Sequence, residues 1–435
     1  MAQPSQITLL MKKSINHKNS LKWWIGAVVC AGLTACSFDS TLQPETEYEG
    51  DVPMQFFQAA VTAPVTRAVN SNYLTQGFMV SCWKGFGGSR EHTVMDRYEV
   101  RYNVDTWSNL SRWDYVGTTA DGYYKDQAQR YWDSNAFPYR FYALSPCPPH
   151  ADISGFSLTP QNLTIPTSVP FIYQTCSNGV LSAGAEPYMP AQVECPDGTN
   201  NADTDLLNGN ALISKDRTEN GATTLYERYV ALPFHHITSK VRFAVYNTYR
   251  KETPDVFQIY NIKVKAVSAD FVTQGNGYTA DLVNSDMLHG TFTQTVKAAN
   301  DAERVLLETD NTLKGNLNAA VDRSHAYYCE CPEGMLQIPQ TGVRMTISFD
   351  VYGLDYETDF TSPDGHITYD KASKTIHYTD VPVKDDTVES FDWESNHIYT
   401  YIMKISEFYP LTIDFTAELI PWTDVYGSLE TNLEQ

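Results

Sequence analysis

An alternation of apolar and polar residues recurs along the second half of this chain. In residues 240–246, Val241, Phe243 and Val245 share one face of an extended segment. The same period of two continues in three later segments, with apolar positions at Met345, Ile347, Phe349 and Val351, at Tyr399, Tyr401, Met403 and Ile405, and at Leu411, Ile413, Phe415, Ala417 and Leu419. Because successive side chains of a β-strand point to opposite faces, this period predicts strands with one buried face.

Composition extends the same prediction to the rest of the chain. Tyrosine and phenylalanine number 28 and 19, and both are favoured in strands. Residues 147–205 are rich in Pro, Gly, Asn and Asp, and short helices are expected only within 300–325. We therefore predict an all-β chain of two antiparallel β-sandwiches in tandem, residues 52–235 and 236–435, with a loop-rich insertion in the first.

The first 35 residues have the organisation of a bacterial export signal. Four lysines precede an apolar run at 23–35, no acidic residue lies upstream of Cys36, and Met11 is a more natural start than Met1. The run ends in Leu-Thr-Ala-Cys at residues 33–36, which matches a lipobox, so Cys36 is expected to carry the lipid anchor. Acyl chains contribute about 0.8 kcal/mol per buried CH₂ to membrane binding. Residues 36–51 are predicted to form a polar tether.

Charge argues against partners that are themselves acidic. The whole chain carries a formal charge of −21, and removal of the four signal lysines leaves 27 basic against 52 acidic residues, a net of −25. Such a surface repels nucleic acid and anionic lipid headgroups. After the signal, no stretch reaches the roughly 18 apolar residues that a transmembrane helix needs.

Six cysteines follow the anchor position, at Cys82, Cys147, Cys176, Cys195, Cys329 and Cys331. An exported protein can form disulfides, but about 15 pairings are open to six cysteines. The spacing at 329–331 also resembles part of a metal or redox site, yet no second closely spaced Cys/His pair completes it. Loop-stapling disulfides or buried thiols are the favoured interpretation.

The sequence contains no motif of a common catalytic site. A nucleophile elbow, a zincin helix, a phosphate loop and a dinucleotide fingerprint are all missing from it. Adjacent imidazoles on a strand point to opposite faces, so His235 and His236 are interpreted as structural. Asp203 and Asp205 begin like a calcium loop but lack its glycine and distal glutamate, and they indicate a turn. We expect no enzymatic activity, no metal and no cofactor.

Several short patterns follow one another in a fixed order along the chain. They are Thr-Arg-Ala at 66–68, Tyr-Trp-Asp at 131–133, Tyr-Arg-Phe-Tyr-Ala-Leu-Ser-Pro at 139–146, Asp-Leu-Leu at 205–207, Leu-Pro-Phe-His-His-Ile at 232–237, Met-Leu-Gln-Ile-Pro-Gln at 335–340, Trp-Glu-Ser-Asn-His-Ile-Tyr-Thr-Tyr at 393–401 and Pro-Trp at 421–422. With these patterns and its lipobox, the chain resembles the fimbrillin family of Bacteroidales, the FimA/Mfa-like pilins. It departs from the family pattern at Asp133, where proline is usual, at Asn396, where glycine is usual, and in the insertion at 147–195.

The resemblance implies two transthyretin-like sandwiches and assembly into a fimbrium that serves cell adhesion. It implies that the lipoprotein precursor reaches the outer membrane, where a trypsin-like protease cuts between Arg67 and Ala68 and removes a first strand within 52–65. It further implies that the vacated groove accepts a strand from another fimbrial subunit, identical or different. The candidate donor is the terminal strand, with Leu411, Ile413, Phe415, Ala417 and Leu419, and its tail.

Other interpretations of these residues stay open at this point. Segment 411–419 can simply belong to its own sheet, and Arg67 can be an ordinary basic residue. The chain can also be a surface lipoprotein that never polymerises, an adhesin that binds host or bacterial surface ligands or a glycan-binding module. Its aromatic platform would be drawn from Trp107, Trp113, Tyr115, Tyr123 and Tyr124. Packing of most of these rings in the sandwich or against cross-strand neighbours is the favoured interpretation. An exported hydrolase has the least support.

Overall fold

The computed structural model describes thirteen segments of the chain. They are residues 54–57, 77–89, 91–102, 113–115, 127–133, 135–195, 212–219, 222–247, 258–311, 323–352, 356–384, 389–405 and 413–421. Cys36, Arg67, Ala68 and Leu411 lie outside the described residues. All described residues belong to one compact unit, Glu49–Gln435.

The described residues form 27 strands and no α-helix, which confirms the predicted all-β class. In the first part of the chain the strands are β1 (Met54–Phe57), β2 (Phe78–Lys84), β3 (His92–Tyr102), β4 (Trp113–Asp114), β5 (Tyr139–Ser145), β6 (Ser157–Leu158), β7 (Asn162–Ile172), β8 (Cys176–Ser177), β9 (Val180–Leu181), β10 (Met189–Cys195), β11 (Leu212–Glu219) and β12 (Ala222–Ala231).

The remaining strands follow residue 238. They are β13 (Ser239–Asn247), β14 (Gln258–Ala266), β15 (Val272–Asp281), β16 (Thr291–Lys297), β17 (Val305–Thr309), β18 (Tyr327–Tyr328), β19 (Met335–Gln337), β20 (Gln340–Val343), β21 (Met345–Tyr352), β22 (Phe360–Thr361), β23 (Ile367–Asp370), β24 (Thr375–Val383), β25 (Phe391–Trp393), β26 (His397–Ile405) and β27 (Ile413–Pro421). Within the described part of 300–325, where short helices are expected, only 3-10 turns occur, at Ala302–Arg304 and Arg323–His325.

Two sheets in the first part of the chain enclose one apolar core. A three-stranded sheet has the order β1-β12-β11, and a five-stranded sheet has the order β10-β5-β2-β3-β4. Phe78 and Phe141 of the larger sheet meet Val230 of the smaller one in this core, together with Met54 and Phe56 of β1. The first strand therefore fills a core that is otherwise built by residues after position 77.

A second core lies in the last part of the chain, where the predicted alternation is present. The sheet β18-β13-β26-β27, with β19 also on β13, and the eight-stranded sheet β22-β23-β24-β21-β14-β17-β8-β9 supply it. In β21 the apolar positions of the alternation, from Met345 to Val351, are buried, while the residues between them are half-buried. The period-two pattern thus identified the buried face of this strand correctly.

The segment that the sequence marks as loop-rich contains strands of its own. β7 runs for eleven residues and pairs with β15 in a four-stranded sheet of order β16-β15-β7-β6. The register between β15 and β7 shifts at Gly277, whose φ is +62°, and a Cβ there would lie 2.9 Å from the carbonyl oxygen of Ile165. This close approach of two backbones explains the need for glycine at that position.

Strands from both sides of residue 235 pair with one another. β7 pairs with β15, β8 pairs with β17, and a disulfide joins Cys176 to Cys331 across 155 residues. A third core, with Trp83, Tyr142, Ile165 and Tyr278 among its members, collects residues from the same two parts of the chain. The division into tandem sandwiches at 235 stays a prediction.

Candidate functional site

The first strand, β1, lies parallel to β12 in the three-stranded sheet. Its four residues pair in register, from Met54 beside Arg228 to Phe57 beside Ala231. Met54 and Phe56 alternate with the half-buried Gln55 and are 0% and 1% exposed. The alternation of Met-Gln-Phe therefore places two large apolar side chains into the core from one short strand.

The backbone of β1 is also bound on the side that faces away from β12. The amide of Met54 donates to the carbonyl oxygen of Arg130 at 2.8 Å. The carbonyl oxygen of Met54 accepts from the hydroxyl of Tyr115 at 3.0 Å and from Nε2 of Gln129 at 3.3 Å. Both polar groups of this one residue are thus satisfied by a neighbouring segment, which we call the Tyr115 clamp (Tyr115, Gln129 and Arg130).

The members of the Tyr115 clamp hold one another in place. The hydroxyl of Tyr115 accepts from the amide of Arg130 at 3.1 Å and from Nε2 of Gln129 at 2.9 Å. Behind it, Gln127 donates to the carbonyl oxygen of Tyr115 at 2.9 Å and binds both backbone groups of Glu99 in β3. Burial raises the pKa of Tyr115 well above its usual range, so its hydroxyl stays a neutral donor.

An aromatic pocket receives the side chain of Phe56. The ring centroid of Phe56 lies 5.5 Å from that of Phe78, 5.8 Å from that of Tyr115 and 6.1 Å from that of Phe141, each in an edge-to-face arrangement. Such pairs contribute about 0.5–1.5 kcal/mol each beyond the burial of area. Tyr115 therefore belongs both to the pocket and to the clamp. Its ring contacts the side chain of Phe56, and its hydroxyl binds the backbone of Met54.

The predicted donor segment forms the last strand of the described chain. β27 pairs antiparallel with β26 over nine positions, from Ile413 beside Ile405 to Pro421 beside His397. It lies at the end of its sheet, so that β26 is its only strand partner among the described residues. Leu411 lies outside them. In this single chain the strand occupies its own sheet, and its role as a donor stays a prediction.

The predicted lipidation and cleavage positions cannot be placed in the fold. Cys36, Arg67 and Ala68 are outside the described residues, and both assignments stay predictions. The described part of the predicted removable segment is β1 itself. Among the described residues, none of the helical segments has the length and apolarity needed to cross a membrane.

Two of the aromatic residues proposed for a glycan platform are in the core instead. Trp113 and Tyr115 are 6% and 2% exposed. Trp107, Tyr123 and Tyr124 lie outside the described residues. A sugar platform needs exposed rings, so Trp113 and Tyr115 cannot belong to one in this fold.

The paired histidines bind neighbouring residues of the protein. Nδ1 of His236 lies 2.5 Å from Oε2 of Glu186, whose other oxygen accepts from the amide of Thr238 at 2.8 Å. Burial, with a smaller contribution from His236, lowers the pKa of His235 to about 4. Within the described segments, no group of three or more His, Cys, Asp or Glu side chains has the arrangement of a metal site.

The six cysteines within the described residues form one disulfide and four free thiols. Cys176 and Cys331 form the disulfide, whereas Cys82, Cys195 and Cys329 are buried free thiols and Cys147 is half-buried. Burial raises the pKa of Cys329 to about 12 and that of Cys82 well above its usual value. A buried thiol that stays protonated is a poor nucleophile and a poor metal ligand.

The sequence analysis did not identify the clamp residues. The sequence predicts Tyr115 as an aromatic of a platform or of the sandwich core, and Gln127, Gln129 and Arg130 carry no recognisable pattern. These residues are separated from Met54 by 61 to 76 positions, and no local pattern reports contacts over such distances. The signal that was available is the alternation in residues 54–56, which marks one side of the contact.

Comparison with known proteins gives the chain a family. No curated protein matches it. A solved fimbrial protein from Bacteroides vulgatus is 12% identical, with 86% of this chain and 99% of that chain covered and a TM-score of 0.45. A candidate cell adhesion protein from Bacteroides uniformis is also 12% identical, with 86% and 97% covered and a TM-score of 0.29. At these scores neither structure carries a detailed comparison.

A family model gives the stronger result. The model described as fimbrillin-like matches residues 66–422, which is most of the sequence, and the match begins after β1. The family that the motifs at 131–146, 232–237 and 393–401 resemble is therefore the family whose model matches residues 66–422. The chain belongs to the fimbrillin-like family.

Proposed function

We propose that this protein is a fimbrial subunit, a structural rather than an enzymatic protein, whose first strand is removed so that another subunit can take its place. Membership in the fimbrillin-like family supports a role in fimbriae and adhesion. The single observation that carries the proposal is the position of β1, which lies at the end of its sheet among the described strands and fills the core with Met54 and Phe56.

Loss of β1 would expose an apolar cleft and leave the polar groups around it without their hydrogen-bond partners in β1. Two side chains that each contribute roughly 1.5–3 kcal/mol by burial would be gone. The edge of β12, the carbonyl oxygen of Arg130 and the hydroxyl of Tyr115 would lose their partners in β1. An exposed strand edge beside an apolar face is the surface that binds an added strand by β-augmentation.

The added strand is proposed to come from the end of another subunit. The sequence of segment 411–419 alternates, with apolar residues at Leu411, Ile413, Phe415, Ala417 and Leu419. β27, which contains four of these five residues, lies at the outer edge of its sheet, where one ladder with β26 holds it. Subunits joined in this way, identical or different, would form two tandem transthyretin-like sandwiches per repeat of the fimbrium.

The precursor is proposed to reach the cell surface as a lipoprotein. Export through the signal at 1–35 and lipidation of Cys36 would tether it to the outer membrane before assembly. Cleavage between Arg67 and Ala68 would then separate the remaining chain from β1 and from the lipid anchor at the same time. The precursor would stay monomeric as long as β1 occupies the cleft.

Limited proteolysis of the exported chain tests this proposal. Trypsin should cut after Arg67 and produce SDS-resistant ladders of high mass, whereas Arg67→Ala should fold normally and yield no ladder. Arg344→Ala, which replaces an exposed arginine between β20 and β21, is the matched control and should polymerise like the parent protein. Ladders from Arg67→Ala, or a cleanly cut parent protein that stays monomeric, would contradict the proposal.

A further inference from the structure

We infer that the cleft left by β1 accepts β27 of a second copy in one register, parallel to β12, with Ile413 at the position of Met54 and Phe415 at the position of Phe56. This inference rests on the proposed function and adds to it the position that each donor side chain occupies in the cleft. It assigns the aromatic pocket and the Tyr115 clamp as the elements that select the incoming strand.

The clamp fixes which residue of the strand lies beside it. Only a residue whose amide and carbonyl both face away from β12 can bind the Arg130 carbonyl and the Tyr115 hydroxyl as Met54 does. Along a strand, such residues occur at every second position, since the backbone groups alternate in direction. Successive side chains also point to opposite faces of a strand. The clamp therefore determines whether the odd-numbered or the even-numbered residues of the incoming strand face the core.

The aromatic pocket then determines which of these alternate residues lies at the clamp. Phe78, Tyr115 and Phe141 surround one ring two residues after the clamped position. The occupant must therefore read apolar, polar, phenylalanine, as Met54, Gln55 and Phe56 do. β27 carries this pattern at Ile413, Asp414 and Phe415.

Other described strands that carry the pattern are held more firmly. Val241 and Phe243 lie in β13, and Ile347 and Phe349 lie in β21. β13 is paired with β26 on one side and with β18 and β19 on the other, and β21 lies between β14 and β24. Among the described residues β27 has one neighbouring strand, so its release breaks a single described ladder. A second copy of this chain therefore offers β27 as the occupant.

Cross-linking with a peptide tests the register without requiring polymerisation. In β1, Gln55 is the Cα partner of Tyr229 in β12, so Asp414 should occupy that level. The full chain with Tyr229→Cys is cut after Arg67 and mixed with peptide 411–419 that carries Asp414→Cys or Thr416→Cys. Cysteines on facing residues can form a disulfide, whereas an offset of two residues exceeds the roughly 7 Å limit on the Cα separation.

The result expected is a disulfide between the peptide and the chain for Asp414→Cys and none for Thr416→Cys. A disulfide with Thr416→Cys would indicate a shifted register or the antiparallel orientation and would overturn the inference, as would the absence of both. The same pair of cysteines placed in the full chain reports on polymers. Ladders that form without the Asp414 cross-link would leave the proposed function standing and overturn this register alone.

The affinity of the peptide for the cut parent chain tests the same register without a substitution in β12. Binding of peptide 411–419 to the cut parent chain is measured by native mass spectrometry, with release of the fragment that contains β1. Phe415→Ala in the peptide should weaken binding by at least about a hundredfold, as expected for an emptied aromatic site. Asp414→Ala, the matched control, should change it by less than about threefold. Equal effects of the two changes would contradict the assignment of Phe415 to the pocket.

Discussion

The hydroxyl of Tyr115 lies 3.0 Å from the carbonyl oxygen of Met54, a residue 61 positions earlier in the chain. This bond joins the first described strand to the segment that follows β4, on the side where β1 has no strand partner among the described residues. With the Met54 amide bound to Arg130, it makes one residue of β1 the point at which both backbone groups are recognised.

Removal of the Tyr115 hydroxyl should loosen β1 without emptying the core. Tyr115→Phe keeps the ring beside Phe56 but leaves the amide of Arg130 without its acceptor in the clamp. A buried group left unsatisfied costs about 1–3 kcal/mol, and we expect the free energy of unfolding in urea to fall by that amount. Tyr131→Phe, at an exposed tyrosine, should stay within about 0.5 kcal/mol of the parent. Equal values for the two variants would contradict the clamp.

The side chain of Phe56 should be one of the largest single contributions of β1 to stability. Phe56→Ala empties a site that is 1% exposed, and such changes cost about 3–5 kcal/mol. The precursor should therefore unfold at lower urea, with a cooperative transition that is otherwise preserved. Val283→Ala, at a residue that is 67% exposed, is the control and should have little effect. A loss below about 1 kcal/mol for Phe56→Ala would mean that the core closes without β1.

Acidification should destabilise the protein in part through His235. Its pKa is near 4 when folded and about 6.5 when unfolded, so the unfolded chain binds the proton first as the pH falls. The stability that depends on the neutral ring is complete above pH 6.5 and is lost towards pH 4, by about 2 kcal/mol at pH 5. His235→Gln should reduce the difference in unfolding free energy between pH 7 and pH 5 by that amount. An unchanged difference would contradict a buried neutral His235.

The disulfide should stabilise the contact between the two parts of the chain. Cys176 lies in β8, which pairs with β17, and Cys331 lies beyond β18, so the bond closes a loop of 155 residues. Loss of a native disulfide typically costs about 2–5 kcal/mol. Cys176→Ser with Cys331→Ser should lower the urea midpoint accordingly, and reductant should then have no further effect. A parent protein whose midpoint is the same with and without reductant would contradict this bond.

The sequence predicted elements whose pattern is local. β21 and β26 have long alternations, and the residues on their predicted face, such as Phe349 and Tyr401, are buried as expected. β7 was missed because Pro166 and Pro170 interrupt it, and proline within a run argues against a strand. The ladder with β15 shifts register between Ile165 and Pro170, so that Pro166 lies outside the paired positions, and no pattern within residues 162–172 reports this shift.

The candidate site depends on contacts that sequence patterns do not encode. Met54 meets Arg228 on one side and Arg130 on the other, and these residues are far apart in the chain. Likewise, the choice of Cys176 and Cys331 among six cysteines depends on the packing of β8 against β17. A first strand within 52–65 was predicted, but the partners of that strand follow only from the folded chain.

Removal of β1 before assembly is tested most directly by determining the N-terminus of subunits in assembled fimbriae. Fimbriae purified from cells that produce this chain are dissociated, and the subunits are analysed by intact mass and N-terminal sequencing. The proposed cleavage predicts a chain that begins at Ala68 and lacks Met54 and Phe56. Subunits in SDS-resistant fimbriae that still contain residues 54–57 would contradict it.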